Sequence, residues 1–119
     1  MSSLAIAGVQ SSTIDLINAL ISTSYKINYV INPDPSIQHM ILDYQDLERL
    51  TNDINAKLLR PKTYIMKDNE SINLFAKINI DILIVFGWQR LVPAWLVNKI
   101  AIRVFGMHES SEPSLPKVR

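Results

Sequence analysis

Two stretches near the end of the chain hold the residue types from which a reactive site could be built. One contains His108, in Met107-His108-Glu109-Ser110-Ser111-Glu112-Pro113. It follows an apolar run that reads as a buried strand, and it enters a segment too rich in Ser, Glu and Pro to be packing alone. An imidazole in that place titrates near neutral pH and can act as general base or as donor to an oxyanion. The competing reading is a histidine that ties down its loop through a backbone hydrogen bond. The other stretch is Phe86-Gly87-Trp88-Gln89-Arg90-Leu91-Val92-Pro93. Gly87 lets the chain turn and present backbone N–H and C=O groups. Trp88 beside it suits the wall of a pocket for a flat ligand, and suits equally a lid on the core.

Other positions carry less. His39 lies in Ile37-Gln38-His39-Met40 with no acidic residue or second histidine near it in sequence, so it reads as a surface or partly packed side chain. The turn Gly8-Val9-Gln10-Ser11-Ser12 has one glycine, where a dinucleotide fingerprint needs several to bring backbone against a pyrophosphate. A nicotinamide or flavin dinucleotide site is rejected on that ground, and Ser11 and Ser12 are read as helix caps. The chain has no cysteine and two histidines, which excludes disulfides, thiolate metal sites and an all-histidine metal site. Twelve Lys and Arg against 11 Asp and Glu give a net charge of +1, so no concentrated basic face argues for nonspecific nucleic-acid binding. No apolar run is long enough to span a membrane, and no basic region precedes the first apolar run as in a secretory signal. The expectation is a cytoplasmic protein without membrane or metal partners.

The elements that must position these residues follow from apolar runs and their spacing. With 119 residues, 48% of them hydrophobic, the chain is expected to form one domain with a real core. Residues 4–9 are apolar on both faces, which suits a strand inside a parallel sheet, and residues 81–86 read as the clearest buried strand. Ile14, Ile17, Leu20 and Ile21 repeat at helical spacing. Residues 26–31 read as a strand closed by Asn32-Pro33-Asp34-Pro35. Leu47, Leu50, Ile54 and Leu58 form one helical stripe within residues 43–60, and residues 63–66 read as a short strand. Asp68-Asn69-Glu70 starts a helix facing inward with Ile72, Phe75, Ala76 and Ile78. Pro93 suits the first turn of a helix ending near Ile100, and residues 103–107 read as the last strand. The order β-α-β-α-β-α-β-α-β predicts an α/β, Rossmann-like, open and mostly parallel sheet with helices on both faces. Ligands of such sheets bind outside the carboxyl ends of the strands, where both chemical stretches fall.

Taken together, residues 81–93, Gly106-Met107-His108-Glu109-Ser110 and Ser114-Leu115-Pro116-Lys117-Val118-Arg119 resemble the formyltransferase family, which includes methionyl-tRNA and sugar-amine formyltransferases. Element order agrees over the whole chain, and the specific motifs lie in its last third. The resemblance implies a Rossmann-like domain that uses 10-formyltetrahydrofolate as co-substrate to formylate a primary amine. It implies that His108 is the active-site histidine, which helps stabilise the tetrahedral intermediate as the amine attacks the formyl carbon. It implies that the backbone of residues 87–91 receives the pteridine ring, with Phe86, Gly87, Trp88 and Gln89 as cofactor-binding residues, and that Leu115 and Pro116 form the Leu-Pro pair of the adjoining loop.

The sequence departs from the family in two ways. The family usually has asparagine two residues before the histidine, a donor for the developing oxyanion, and here that residue is Gly106. The family's catalytic aspartate falls after this loop, past Arg119, so the expectation is half an active site. The sheet is likewise expected to be incomplete at its C-terminal side, to be completed by a further C-terminal segment or by a dimer. Low activity and marginal stability are expected of these 119 residues alone. The expected acceptor is a small amine such as an amino sugar, or an aminoacyl-tRNA. The alternative is a degenerate or split domain of the same fold that binds a ligand or a partner without chemistry.

Overall fold

Leu4–Ala7 (β1) is the middle strand of the sheet, and all four of its residues are buried. The structure is a computed structural model and describes residues 2–106. An apolar strand of this kind has no solvated face, so it needs neighbours at both edges and cover on both sides. It gets both. Tyr29–Ile31 (β2) pairs with one edge and Ile82–Val85 (β4) with the other, each parallel to β1. Lys57–Leu59 (β3) extends the sheet beyond β2, and Arg103–Gly106 (β5) extends it beyond β4. The strand order is β3-β2-β1-β4-β5. The fold is therefore an open, all-parallel, Rossmann-like α/β sheet over the described residues, and its topological switch point lies between β1 and β4.

The covering helices divide between the faces. Ser11–Ser22 (α1) and the short Glu48–Asp53 (α2) lie on one side, where Ile17 and Leu47 join Leu4, Ile6 and Val30 in a buried cluster. Asn69–Leu74 (α3) and Ala94–Lys99 (α4) belong to the other, where Phe75, Leu96 and Ile100 pack with Ala5, Ala7, Ile31, Leu83 and Val85. Helices of six residues are not stable alone. Their support is this packing, at roughly 1.5–3 kcal/mol for each large apolar side chain fully removed from water. One part of the first face stays open. Ile82, Ile84 and Phe105 floor a groove of about 810 Å³ beside Leu4, Leu20 and Tyr25.

The elements agree with the sequence expectation in order and type, but α2 and α3 are shorter than expected and the cap of α1 differs. Of the inward set expected for α3, only Phe75 and Ile78 are buried, while Ile72 and Ala76 are exposed. The expected helix over 43–60 is α2 alone, and its last residues become β3. Asn55 at a φ of 59° stops the helix and turns the chain into the strand. Residues 63–66 are accordingly a bent connection and not a strand. Leu47, Leu50, Ile54 and Leu58 do share one face, because strand alternation delivers Leu58 to the side that the helical stripe faces. Ser11 and Ser12 do not cap α1 by accepting its amides. The Asp43 carboxylate accepts the Ser11 N–H at 3.0 Å and its hydroxyl at 2.7 Å, and this holds the Asp43 carboxyl below its ordinary pKa.

Candidate functional site

The carboxyl edge at the switch point is formed by the two segments that leave β1 and β4. Gly8 and Val9 extend β1 beyond its last residue. The Gly8 N–H donates to the Ile31 carbonyl at 3.1 Å, and the Val9 N–H donates to the Gly87 carbonyl at 2.9 Å. The Phe86 N–H in turn donates to the Ala7 carbonyl at 3.0 Å. Between the two segments stands Thr13, fully buried in the first turn of α1, whose hydroxyl donates to the Phe86 carbonyl at 2.7 Å. A Cβ on Gly8 would lie 2.1 Å from the Thr13 hydroxyl oxygen, and one on Gly87 would lie 2.3 Å from it. Both positions must therefore be glycine. Gly87 has a φ of 71° as well, a conformation other residues rarely take.

This closure accounts for the missing dinucleotide fingerprint. In dinucleotide-binding domains the helix N-terminus faces a pyrophosphate and an acidic residue near the second strand holds the ribose. Here Asp43 already occupies the N-terminus of α1. At the end of β2 stands Asn32, fully buried and spent on the chain itself. Its amide nitrogen donates to the Gly8 carbonyl at 3.0 Å and to the Gln45 carbonyl at 3.1 Å. Its amide oxygen accepts from the Leu47 N–H at 3.0 Å and from Arg60 at 2.6 Å. Arg60 also pairs with Asp46 and donates to the Tyr44 hydroxyl oxygen at 3.1 Å. The β2–β3 side of the edge is thus a closed network, and the ends of β4 and β5 lie outside it.

At the end of β4 the sequence-expected residues divide. Phe86 is 46% exposed, and Gln89 is exposed. Trp88 is 7% exposed and belongs to the core, edge-on to Tyr64 with ring centroids 4.9 Å apart. Of its two sequence readings, this placement is that of a lid on the core. Its indole N–H is buried with no acceptor among the described residues. The Gln89 N–H donates to the Tyr64 hydroxyl oxygen at 2.6 Å, and burial pushes the Tyr64 phenol above its ordinary pKa. Neither Thr13 nor Tyr64 stood out in the sequence. The signal that could have found Thr13 is a hydroxyl in the first helical turn with a glycine at the end of each flanking strand.

β5 ends beside β4, with Val85 opposite Gly106. Gly106 has a φ of 99°, and a Cβ there would lie 2.0 Å from the Val85 carbonyl oxygen. The backbone thus requires glycine where the resembled family carries asparagine. His108, Leu115 and Pro116 lie outside the described residues. His39 is exposed on a 3₁₀ turn, Pro35–Met40, away from any cluster of ionisable groups. Among the described residues no group of three or more His, Asp or Glu could hold a metal ion, and no helix is long and apolar enough to cross a membrane. No known protein family matches the chain, and no curated protein is significantly similar to it.

Proposed function

We propose that this chain carries part of the active site of a 10-formyltetrahydrofolate-dependent N-formyltransferase. The observation that supports this best is the adjacency of β4 and β5. It brings the start of Phe86-Gly87-Trp88-Gln89 and the Gly106 that precedes Met107-His108 to the same sheet edge, beside a switch point closed to dinucleotides. In this reading the segment 86–89, exposed at Phe86 and Gln89 and half-buried at Gly87, receives the pteridine. The Trp88 indole N–H, buried beside Tyr64, is a donor in the same segment with no acceptor among the described residues. His108 assists attack of a primary amine on the formyl carbon and stabilises the tetrahedral intermediate, with Leu115 and Pro116 in the adjoining loop. The acceptor is an amino sugar or similar small amine, or an aminoacyl-tRNA. The setting is the cytoplasm.

The test begins with binding of 10-formyltetrahydrofolate, followed by formyl transfer to a panel of primary amines by the protein as its source makes it. His108→Ala should abolish transfer and leave folate binding largely intact. Retention of most activity by His108→Ala would remove the assignment.

A second reading is favoured by Gly106. Because no side chain fits there, the carboxamide donor of the family is missing by construction, which suits a ligand-binding or partner-dependent domain without chemistry. Folate binding with no transfer to any amine would select this reading.

A further inference from the structure

We infer that Thr13 and Tyr64 are the positioning residues of the segment 86–89, and that the Thr13 hydroxyl sets its height over the sheet edge. The inference rests on the folate-binding reading of that segment. Its starting point is that the segment is held at both ends by side-chain hydroxyl groups from elsewhere in the chain. At one end Thr13 donates to the Phe86 carbonyl at 2.7 Å, and the next carbonyl, that of Gly87, accepts from Val9 at 2.9 Å. At the other end Tyr64 accepts the Gln89 N–H at 2.6 Å. Between them lie a glycine of positive φ and a tryptophan packed against Tyr64 itself.

Thr13 cannot yield easily. A β-branched residue in a helix has restricted χ1 choices. Gly8 and Gly87 both leave their space to this side chain, since a Cβ on Gly8 would meet its Oγ1 and Cγ2 at 2.1 and 2.3 Å. Shape and hydrogen bond are therefore separable. Valine reproduces the wedge without the donor, and serine keeps the donor with one methyl fewer. If Thr13 merely packed, binding would follow stability through both variants. If its hydroxyl positions the segment, binding and stability separate.

The experiment compares Thr13→Val, Thr13→Ser and Tyr64→Phe with the unaltered protein. The readouts are the dissociation constant for 10-formyltetrahydrofolate, the melting temperature, and hydrogen exchange of the Val9 and Gln89 amides without ligand. Loss of one neutral hydrogen bond corresponds to about a fivefold change in an equilibrium constant. Thr13→Val should weaken binding by about that factor and speed exchange at Val9. Thr13→Ser should bind as the unaltered protein does, although it melts lower for its missing methyl. Tyr64→Phe should weaken binding similarly and speed exchange at Gln89.

Binding that falls in Thr13→Ser as much as in Thr13→Val would overturn the inference. So would unchanged Val9 exchange in Thr13→Val. If the unaltered protein binds no folate, the folate reading fails, and the exchange data still decide whether the two hydroxyl groups hold the segment.

Discussion

Replacing Asn32 with leucine tests whether the closed side of the sheet edge is built as described. The substitution roughly keeps side-chain volume and removes both ends of an amide that serves four partners. The Gly8 and Gln45 carbonyls lose a donor, while the Leu47 N–H and Arg60 lose an acceptor. At a net cost of about 1 kcal/mol for each bond, the loss is about 4 kcal/mol. Unfolding entropy of about 2.1 cal/mol/K per residue gives roughly 0.25 kcal/mol/K for a chain of this length, so the melting temperature should fall by about 16 °C. Asn32→Asp keeps the acceptor for Leu47 and Arg60 and turns an oxygen toward the two carbonyls, so it should lose at least half as much. Calorimetric melts of the three proteins at one pH and salt concentration measure this. A drop of less than about 4 °C in Asn32→Leu would mean that the loop carrying Gln45 and Leu47 is not anchored through Asn32.

Further outcomes are expected at Gly106 and Asp68. Gly106→Asn restores the side chain of the resembled family but sets a Cβ against the Val85 carbonyl at a φ of 99°. It should lower the melting temperature by about 10 °C, from strain and overpacking together, and should not raise formyl transfer. A stable Gly106→Asn protein with higher activity would refute the requirement for glycine. Asp68 caps α3 and accepts from the Thr63 and Ser71 hydroxyl groups, which hold its carboxyl at about 2 against an ordinary 3.8. Because the folded value is the lower one, its stabilising contribution is complete above about pH 4. It is lost as the pH falls through 2. The Ser71 amide proton should report a titration midpoint near 2 by NMR, and a midpoint near 3.8 would show the cap to be absent.

Much of the architecture was legible because local signals and global packing agree in β1 and β4, whose uninterrupted apolar runs suit strands covered on both faces. The start of α3 was legible for a similar reason, since Asp68 carries its capping chemistry in its own side chain. The boundary between α2 and β3 was not. Leu47, Leu50, Ile54 and Leu58 satisfy a helical period and also share one face of the folded chain, and the turn that separates them is a single asparagine of positive φ. At the site, the carboxyl edge and its glycines were legible. Burial of Trp88 was one of two readings left open, because the tyrosine it meets lies 24 residues earlier. The roles of Asn32 and Thr13 were hidden, because their partners come from distant parts of the chain, up to 73 residues away for Thr13.

The pairing of β1 with β4 also has a consequence in time. Ser3 and Asp81, which hydrogen-bond at the start of these two strands, are 78 residues apart. A ribosome adds about 5–20 residues per second. For roughly 4–16 s after β1 is made, its apolar edge therefore has no partner from its own chain. β2 can pair early and protect one side, but the other side waits for β4. During that interval the nascent chain offers an open parallel edge to any strand nearby, so its yield should depend on how quickly translation proceeds through the region between α1 and β4.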